Sequence, residues 1–236
     1  MNVAVLVDII KETKTNWRFI FESPLYDKLE YKSGQLIQLC SKPGDEGSAV
    51  RNYSVASWAD GTNKFELIIT YLKGGQMSEY LFNEAKIGDE FIYRGPMGIF
   101  TLPDNLQDRD IFFVSTGSGI SPFRSMLGWI AQNKVPIKNI KLFFGTRKKE
   151  DIPYYEEMKN YEKIIPNFEF VPCLSREKWE GFNGYVHGAY LPELTIMDEK
   201  PLVYFCGWTK MIDEGREYLS DLGFEMMKDI RVEIFG

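Results

Sequence analysis

The sequence predicts two unlike domains: an N-terminal antiparallel β-barrel over residues 1–103, then an α/β domain with a parallel sheet over 104–236. Three observations predict this. The chain has 236 residues, more than one average core of roughly 100 to 150 residues and fewer than two large ones. Its first hundred residues break into short β-prone runs between glycine turns. From residue 110 the pattern becomes strand, glycine loop, helix, strand, the signature of a right-handed βαβ unit.

In the first half, strands are expected at 3–10, 17–22, 35–40, 51–55, 64–71 and 90–94, separated by breaks at Gly34, Gly44 and Gly47, Gly61, Gly74-Gly75 and Gly88. That spacing suggests a small antiparallel barrel. One helical stretch, 77–84, lies between the glycine pair and the turn at Gly88-Asp89. After a loop at 102–109 rich in Asp, Asn and Pro comes a β-prone run at 110–115, then Thr116-Gly117-Ser118-Gly119, an amphipathic stretch at 122–132 and a strand at 140–144. Strands at 168–174 and 202–206, helices at 154–161 and 211–222, and a last strand at 230–235 extend the unit into a parallel sheet.

Composition narrows the function. Hydrophobic residues make up 44% and charged residues 26%, so the chain can bury a core. Lysine and arginine total 28 against 34 acids, a net charge of −6 that disfavours a general nucleic-acid binder. No apolar run approaches the roughly 18 residues of a membrane span. The opening MNVAVLVDIIKETK has no basic leader and reads as a strand, so a cytoplasmic location is expected. The cysteines, Cys40, Cys173 and Cys206, cannot supply a four-cysteine iron–sulfur cluster within this chain, and the single His187 excludes a zinc site of several histidines.

The loop at Thr116 to Gly119 joins a strand to a helix with Pro122 in its first turn, a position that loses nothing by lacking an amide hydrogen. Free amides there make an anion site. Alone the signal is weak, because the third glycine of the dinucleotide fingerprint is missing. Ser118, Asp151 and His187 follow the order of an α/β-hydrolase triad, but a nucleophile elbow needs glycines where Thr116 and Ile120 stand, which argues against that chemistry.

Further motifs run through the chain in a fixed order: Arg51-Asn52-Tyr53-Ser54, Lys73-Gly74-Gly75-Gln76-Met77-Ser78, Gly95-Pro96-Met97-Gly98-Ile99-Phe100, TGSGISP, Cys206-Gly207 and the terminal VEIFG. Together they resemble the ferredoxin-NADP reductase family of flavoproteins and cover nearly the whole chain. A flavin nucleotide offers a planar apolar ring that suits an aromatic face, and phosphates that suit a guanidinium fork and free amides. Strand alternation puts Arg51 and Tyr53 on one face, where the cation can take the phosphate while the ring stacks.

The resemblance implies FAD rather than FMN, with Ser54 near the flavin N5 and the Gly74, Gly75, Met77 and Ser78 segment on the flavin phosphate. It implies that Thr116, Gly117, Gly119 and Pro122 pass beneath the nicotinamide nucleotide, and that Ser54, Cys206 and Glu233 form the catalytic set at the hydride-transfer atoms. Phe235 would cover the flavin, although it is penultimate here, with Gly236 after it. NADPH is expected over NADH. After the strand at 140–144 come Gly145-Thr146-Arg147-Lys148-Lys149, with no acid before Glu150. The resemblance places a pair like Ser175-Arg176 at a 2′-phosphate, and Tyr185 would stack on the adenine. The implied activity is hydride transfer between NADPH and FAD, with single electrons exchanged with a protein carrier, ferredoxin or flavodoxin. The alternatives are an NADH-dependent reductase serving an oxygenase or cytochrome, and a non-catalytic nucleotide sensor on the same fold.

Overall fold

The computed structural model describes residues 2–41 and 49–234. Its first sheet is built from β1 (Asn2–Lys11), β2 (Asn16–Glu22), β3 (Leu36–Cys40), β4 (Val50–Ser54), β5 (Lys64–Thr70) and β6 (Glu90–Met97), in the order β4-β3-β6-β1-β2-β5. Every pairing is antiparallel. The edge strands β4 and β5 come together just past β4, where the Ala56 amide donates to the Glu66 carbonyl at 2.8 Å. Inside, alternate residues interlock as an aromatic core: Phe21 stacks on Phe65 and meets Phe91 edge-on, each with ring centres 5.2 Å apart. Helix α1 (Gln76–Asn83) closes one end by burying Met77 and Leu81 in that core.

The second sheet is wholly parallel. Strands β7 (Ile111–Thr116), β8 (Ile140–Thr146), β9 (Phe168–Leu174), β10 (Phe182–Asn183), β11 (Leu202–Gly207) and β12 (Ile230–Ile234) run in the order β10-β9-β8-β7-β11-β12. Helices α2 (Ser121–Asn133) and α3 (Tyr155–Ile164) cover one face, and α4 (Val186–Leu194) and α5 (Thr209–Asp221) the other. Side-chain parity divides each strand between the two layers: Phe113, Leu142, Phe144, Tyr204 and Cys206 join the α2/α3 core, whereas Phe112, Val114, Phe143, Val203 and Phe205 join the α4/α5 core. Strands buried on both faces explain the continuous apolar runs, such as Ile111 to Val114.

The α2/α3 core also takes in Ala56, Ile68 and Phe100 from the first half. On β5, Phe65, Leu67 and Ile69 point into the barrel, so Glu66 and Ile68 face the second sheet. Phe100 meets Tyr204 edge-on at 5.2 Å, and the Tyr204 hydroxyl donates to the Thr101 carbonyl at 2.8 Å. The two halves therefore share one packed interface.

Most expected elements lie within a few residues of their expected bounds. Two were not anticipated. Helix α4 is apolar nearly all round and contains Pro192, so it shows no amphipathic stripe. Strand β10 has only two residues.

Candidate active site at the junction of the two sheets

The order of the parallel sheet reverses between β7 and β11, because β8 lies on one side of β7 and β11 on the other. At such a switch point the loops leaving the two strands part and open a crevice at their carboxyl ends. Here those loops are Gly117–Ile120, wound as a single 3₁₀ turn, and Gly207-Trp208. They approach so closely that only glycine fits. A Cβ on Gly119 would lie 2.2 Å from the Cys206 carbonyl oxygen, and one on Gly207 would lie 2.4 Å from Thr116 Oγ1. Gly207 also has φ of +139°. Thr116 Oγ1 accepts the Trp208 amide at 3.1 Å, and the Ser121 hydroxyl donates to the Ser118 carbonyl at 2.6 Å, which fixes the turn ahead of Pro122.

The parity of β11 and β12 decides what faces the crevice. Cys206 lies on the face toward the barrel, and Glu233 is its register partner on β12, so both side chains leave the same face. Across the junction stands Ser54, buried at the end of β4, whose hydroxyl donates to Glu233 Oε1. Residues 179 positions apart thus meet, and the expected set Ser54, Cys206 and Glu233 is one cluster. Burial pushes the Glu233 carboxyl up to about 7 against the opposing pull of the Ser54 hydrogen bond. Burial, with the Glu233 charge adding to it, pushes the Cys206 thiol well above its ordinary value, so Cys206 stays a neutral thiol.

Strand β4 pairs with β3 along one edge only. Arg51 and Tyr53 stand opposite Leu39 and Ile37, which confirms that they share a face. Arg51 is exposed and, among the described residues, its Nη1 donates only to its neighbour's carbonyl, at 2.8 Å, while Tyr53 is half-buried. The segment from Leu72 to Ser78 turns through Gly74 at φ +80° into α1. The Ser78 hydroxyl bonds the Leu72 amide (3.1 Å), the Leu72 carbonyl (2.9 Å) and the Gly75 carbonyl (3.1 Å), and therefore shapes the loop. Met77 contributes its side chain to the core. The first amides of α1 have no partner within the helix. An exposed guanidinium, an aromatic face and those amides fit a flavin nucleotide's phosphate and ring.

At the far end of the parallel sheet, the Ser175 amide donates to Thr146 and the Arg176 amide to Arg147, each at 3.0 Å, so the two arginines leave adjacent strand ends side by side. Among the described residues neither guanidinium has a hydrogen bond or ion pair. Arg176 lines a cavity of about 680 Å³ with Lys148, Lys149, Glu150, Ile152, Tyr155 and Glu177. The acids nearby are engaged: Glu177 accepts the Lys149 amide at 2.9 Å, and Glu150 pairs with Lys148 at 3.4 Å. Tyr185 is 78% exposed just past β10, free to offer a ring face. Phe235 lies outside the described residues. His187 is bonded to Tyr190 at 2.8 Å, with no bond to Ser118 or Asp151. Trp208, 64% exposed beside the crevice, escaped the sequence reading; an aromatic directly after the glycine of the switch strand was its signal.

This arrangement defines an oxidoreductase that binds a flavin on its barrel and a nicotinamide nucleotide on its parallel sheet. Residues 4–102 match the oxidoreductase FAD-binding domain family, and residues 113–217 the oxidoreductase NAD-binding domain family. A ferredoxin–NADP reductase from Sorangium cellulosum is 34% identical over 195 residues, covering 79% of this chain and 78% of that protein. The electron transfer component of anthranilate 1,2-dioxygenase from Acinetobacter baylyi is 27% identical over 91% of this chain, which spans 61% of that longer protein. The fold matches a Neisseria gonorrhoeae ferredoxin NADP⁺ reductase solved with FAD and NADP, with a TM-score of 0.81 and 22% identity over 98% of this chain and 97% of that one. The chain belongs to the ferredoxin–NADP reductase family. None of its described helices is long and apolar enough to cross a membrane.

Proposed function

We propose that this protein is an NADPH-preferring reductase that passes electrons singly between its flavin and a protein carrier, ferredoxin or flavodoxin. The observation that carries the coenzyme preference is the pair of guanidinium groups, Arg147 and Arg176, at adjacent strand ends and without a bond among the described residues, with Glu177 held by the Lys149 amide and Glu150 by Lys148. A 2′-phosphate needs cations, whereas a ribose 2′-hydroxyl needs a free acid.

When bound, the flavin supplies the two-electron to one-electron conversion. The chain's residues do the rest. The tight contact of Gly119 with Cys206 holds the two loops together, so that a nicotinamide entering the crevice would rest over the β7 and β11 ends. The Ser54 hydroxyl donates to Glu233 Oε1 and fixes that carboxyl at the crevice, and the Glu233 carboxyl, near 7, can keep or release its own proton at neutral pH. Cys206, neutral and buried, adds an apolar floor that excludes water.

A ferredoxin-type carrier is supported by the name of one relative, a ferredoxin–NADP reductase. A second reading, an NADH-dependent component serving an oxygenase, is favoured by the dioxygenase relative. Steady-state kinetics separate the two. Losing one charge-assisted bond to phosphate, worth roughly 1.5 to 3 kcal/mol, should lower kcat/KM for NADPH about tenfold or more in Arg147→Ala or Arg176→Ala and leave NADH nearly unchanged. Equal use of both coenzymes by the wild type, or equal losses in the variants, would refute the phosphate site.

A further inference from the structure

A second cluster of charge is buried away from the crevice, between barrel and parallel sheet. Glu66, the one charged residue facing out from the middle of β5, receives Arg18 Nε on Oε1 and Arg18 Nη2 on Oε2, each at 2.8 Å. The Tyr154 hydroxyl donates to Glu66 Oε1 at 2.6 Å, and Arg124 Nη1 lies 3.3 Å from the same oxygen. Arg124, on α2 and 7% exposed, also donates Nε to both oxygens of Glu157 at 3.0 Å and packs over the Tyr154 ring at 4.4 Å. Glu12 completes the set, accepting the Tyr154 amide at 2.8 Å and pairing with Arg18 at 3.4 Å. Burial opposes the Glu66 charge, but the bonds and charges of Arg18 and Arg124 outweigh it and hold the carboxyl below its ordinary range.

Apolar residues of the same volume would fill such a space as well or better, so a buried ion network is weak evidence for stability. What it does impose is direction. Arg124 Nη1 donates to the Ala56 carbonyl at 2.9 Å, and the next residue, Ser125, donates its hydroxyl to the Ser57 carbonyl. Ala56 lies two residues past Ser54, and Arg124 five past Gly119 on the helix that begins at the crevice turn. Two successive side chains of α2 therefore grip the backbone that carries Ser54.

We infer that Arg124 is a positioning residue for electron transfer, fixing the separation between the Ser54 strand and the nucleotide turn through Ala56 and Glu66. The inference rests on the crevice reading above. Arg124 touches neither Arg51, the α1 amides nor the strand-end arginines, so its loss should leave the binding of each nucleotide intact while loosening their mutual geometry. A displacement of the order of 1 Å between reacting groups costs up to about a hundredfold in rate.

The test is anaerobic stopped-flow reduction of the flavin-loaded protein, comparing wild type, Arg124→Gln and Arg124→Lys over a range of NADPH and NADH concentrations. The expected result for Arg124→Gln is a saturating rate at least about tenfold lower, with coenzyme and flavin dissociation constants within about threefold of wild type. Lysine keeps the charge but cannot span Ala56, Glu66 and Glu157 at once, so Arg124→Lys should fall between. Should Arg124→Gln not fold or retain flavin, the lysine variant is judged by the same split. A wild-type saturating rate in either folded variant, even with a lowered melting temperature, would overturn the inference and leave Arg124 a stability residue. A wild type not reduced by either coenzyme would instead strike at the crevice reading.

Discussion

Replacing Glu233 with glutamine should make the protein more stable above neutral pH and no more stable below pH 5. Glu233 has an ordinary value of 4.5, and burial raises it to about 7 in the folded chain. A carboxyl whose value rises on folding binds its proton more tightly in the native state. Its contribution is full below 4.5, is lost as pH climbs through 7, and is then constant. Each tenfold in proton affinity corresponds to about 1.4 kcal/mol, so the span from 4.5 to about 7 amounts to ~3 kcal/mol of native stability lost between acid and alkaline pH. Glutamine has the same shape, offers Oε1 to the Ser54 hydroxyl and never ionises. Guanidinium unfolding of both proteins at pH 5 and pH 8.5 isolates the difference. At the lower pH the two should nearly coincide; at the higher pH the variant should lead by up to ~3 kcal/mol, or ~6 to 12 °C in Tm for a chain of this size. The same substitution should remove an inflection near pH 7 from kcat/KM. A stability gap that is independent of pH, or that favours the wild type in alkali, would refute the claim that the buried carboxyl resists ionisation.

Two further outcomes test the cofactor surfaces. Arg51→Ala removes an exposed guanidinium that, among the described residues, is bonded only to its neighbour, so far-ultraviolet dichroism should be unchanged while flavin affinity falls about tenfold or more; full flavin retention through gel filtration would show that this strand does not hold the phosphate. Gly119→Ala drives a methyl into the Cys206 backbone and should cost about 1 to 3 kcal/mol of stability and raise the coenzyme KM. An unaltered Tm would mean the two loops are not packed as described.

Much of this site could be read from the order of short motifs, and the reasons differ from residue to residue. Strand parity placed Arg51 with Tyr53, and the register of β4 with β3 agrees, because period-2 alternation is a local property. The meeting of Ser54 with Glu233 is not local; only the family resemblance set residues from the two ends of the chain at one point. The network around Arg124 was invisible for a related reason. Glu66 sits in the apolar middle of KFELIIT, between Phe65 and Leu67, and a charge there must find partners once buried, but nothing local says that they are Arg18 and Arg124. Helix α4 escaped because Pro192 and an all-round apolar surface erase the period on which helix recognition depends.

A crevice between β7 and β11 that brings a nicotinamide onto a flavin held by the barrel must show itself in the colour of the protein. The deciding measurement is the visible spectrum of the purified protein under anaerobic conditions. The expected result is a yellow protein with about one FAD per chain, bleached on addition of stoichiometric NADPH and recoloured by a one-electron acceptor. A colourless protein that takes up no added FAD, or a yellow one whose spectrum neither reduced coenzyme alters, would contradict it.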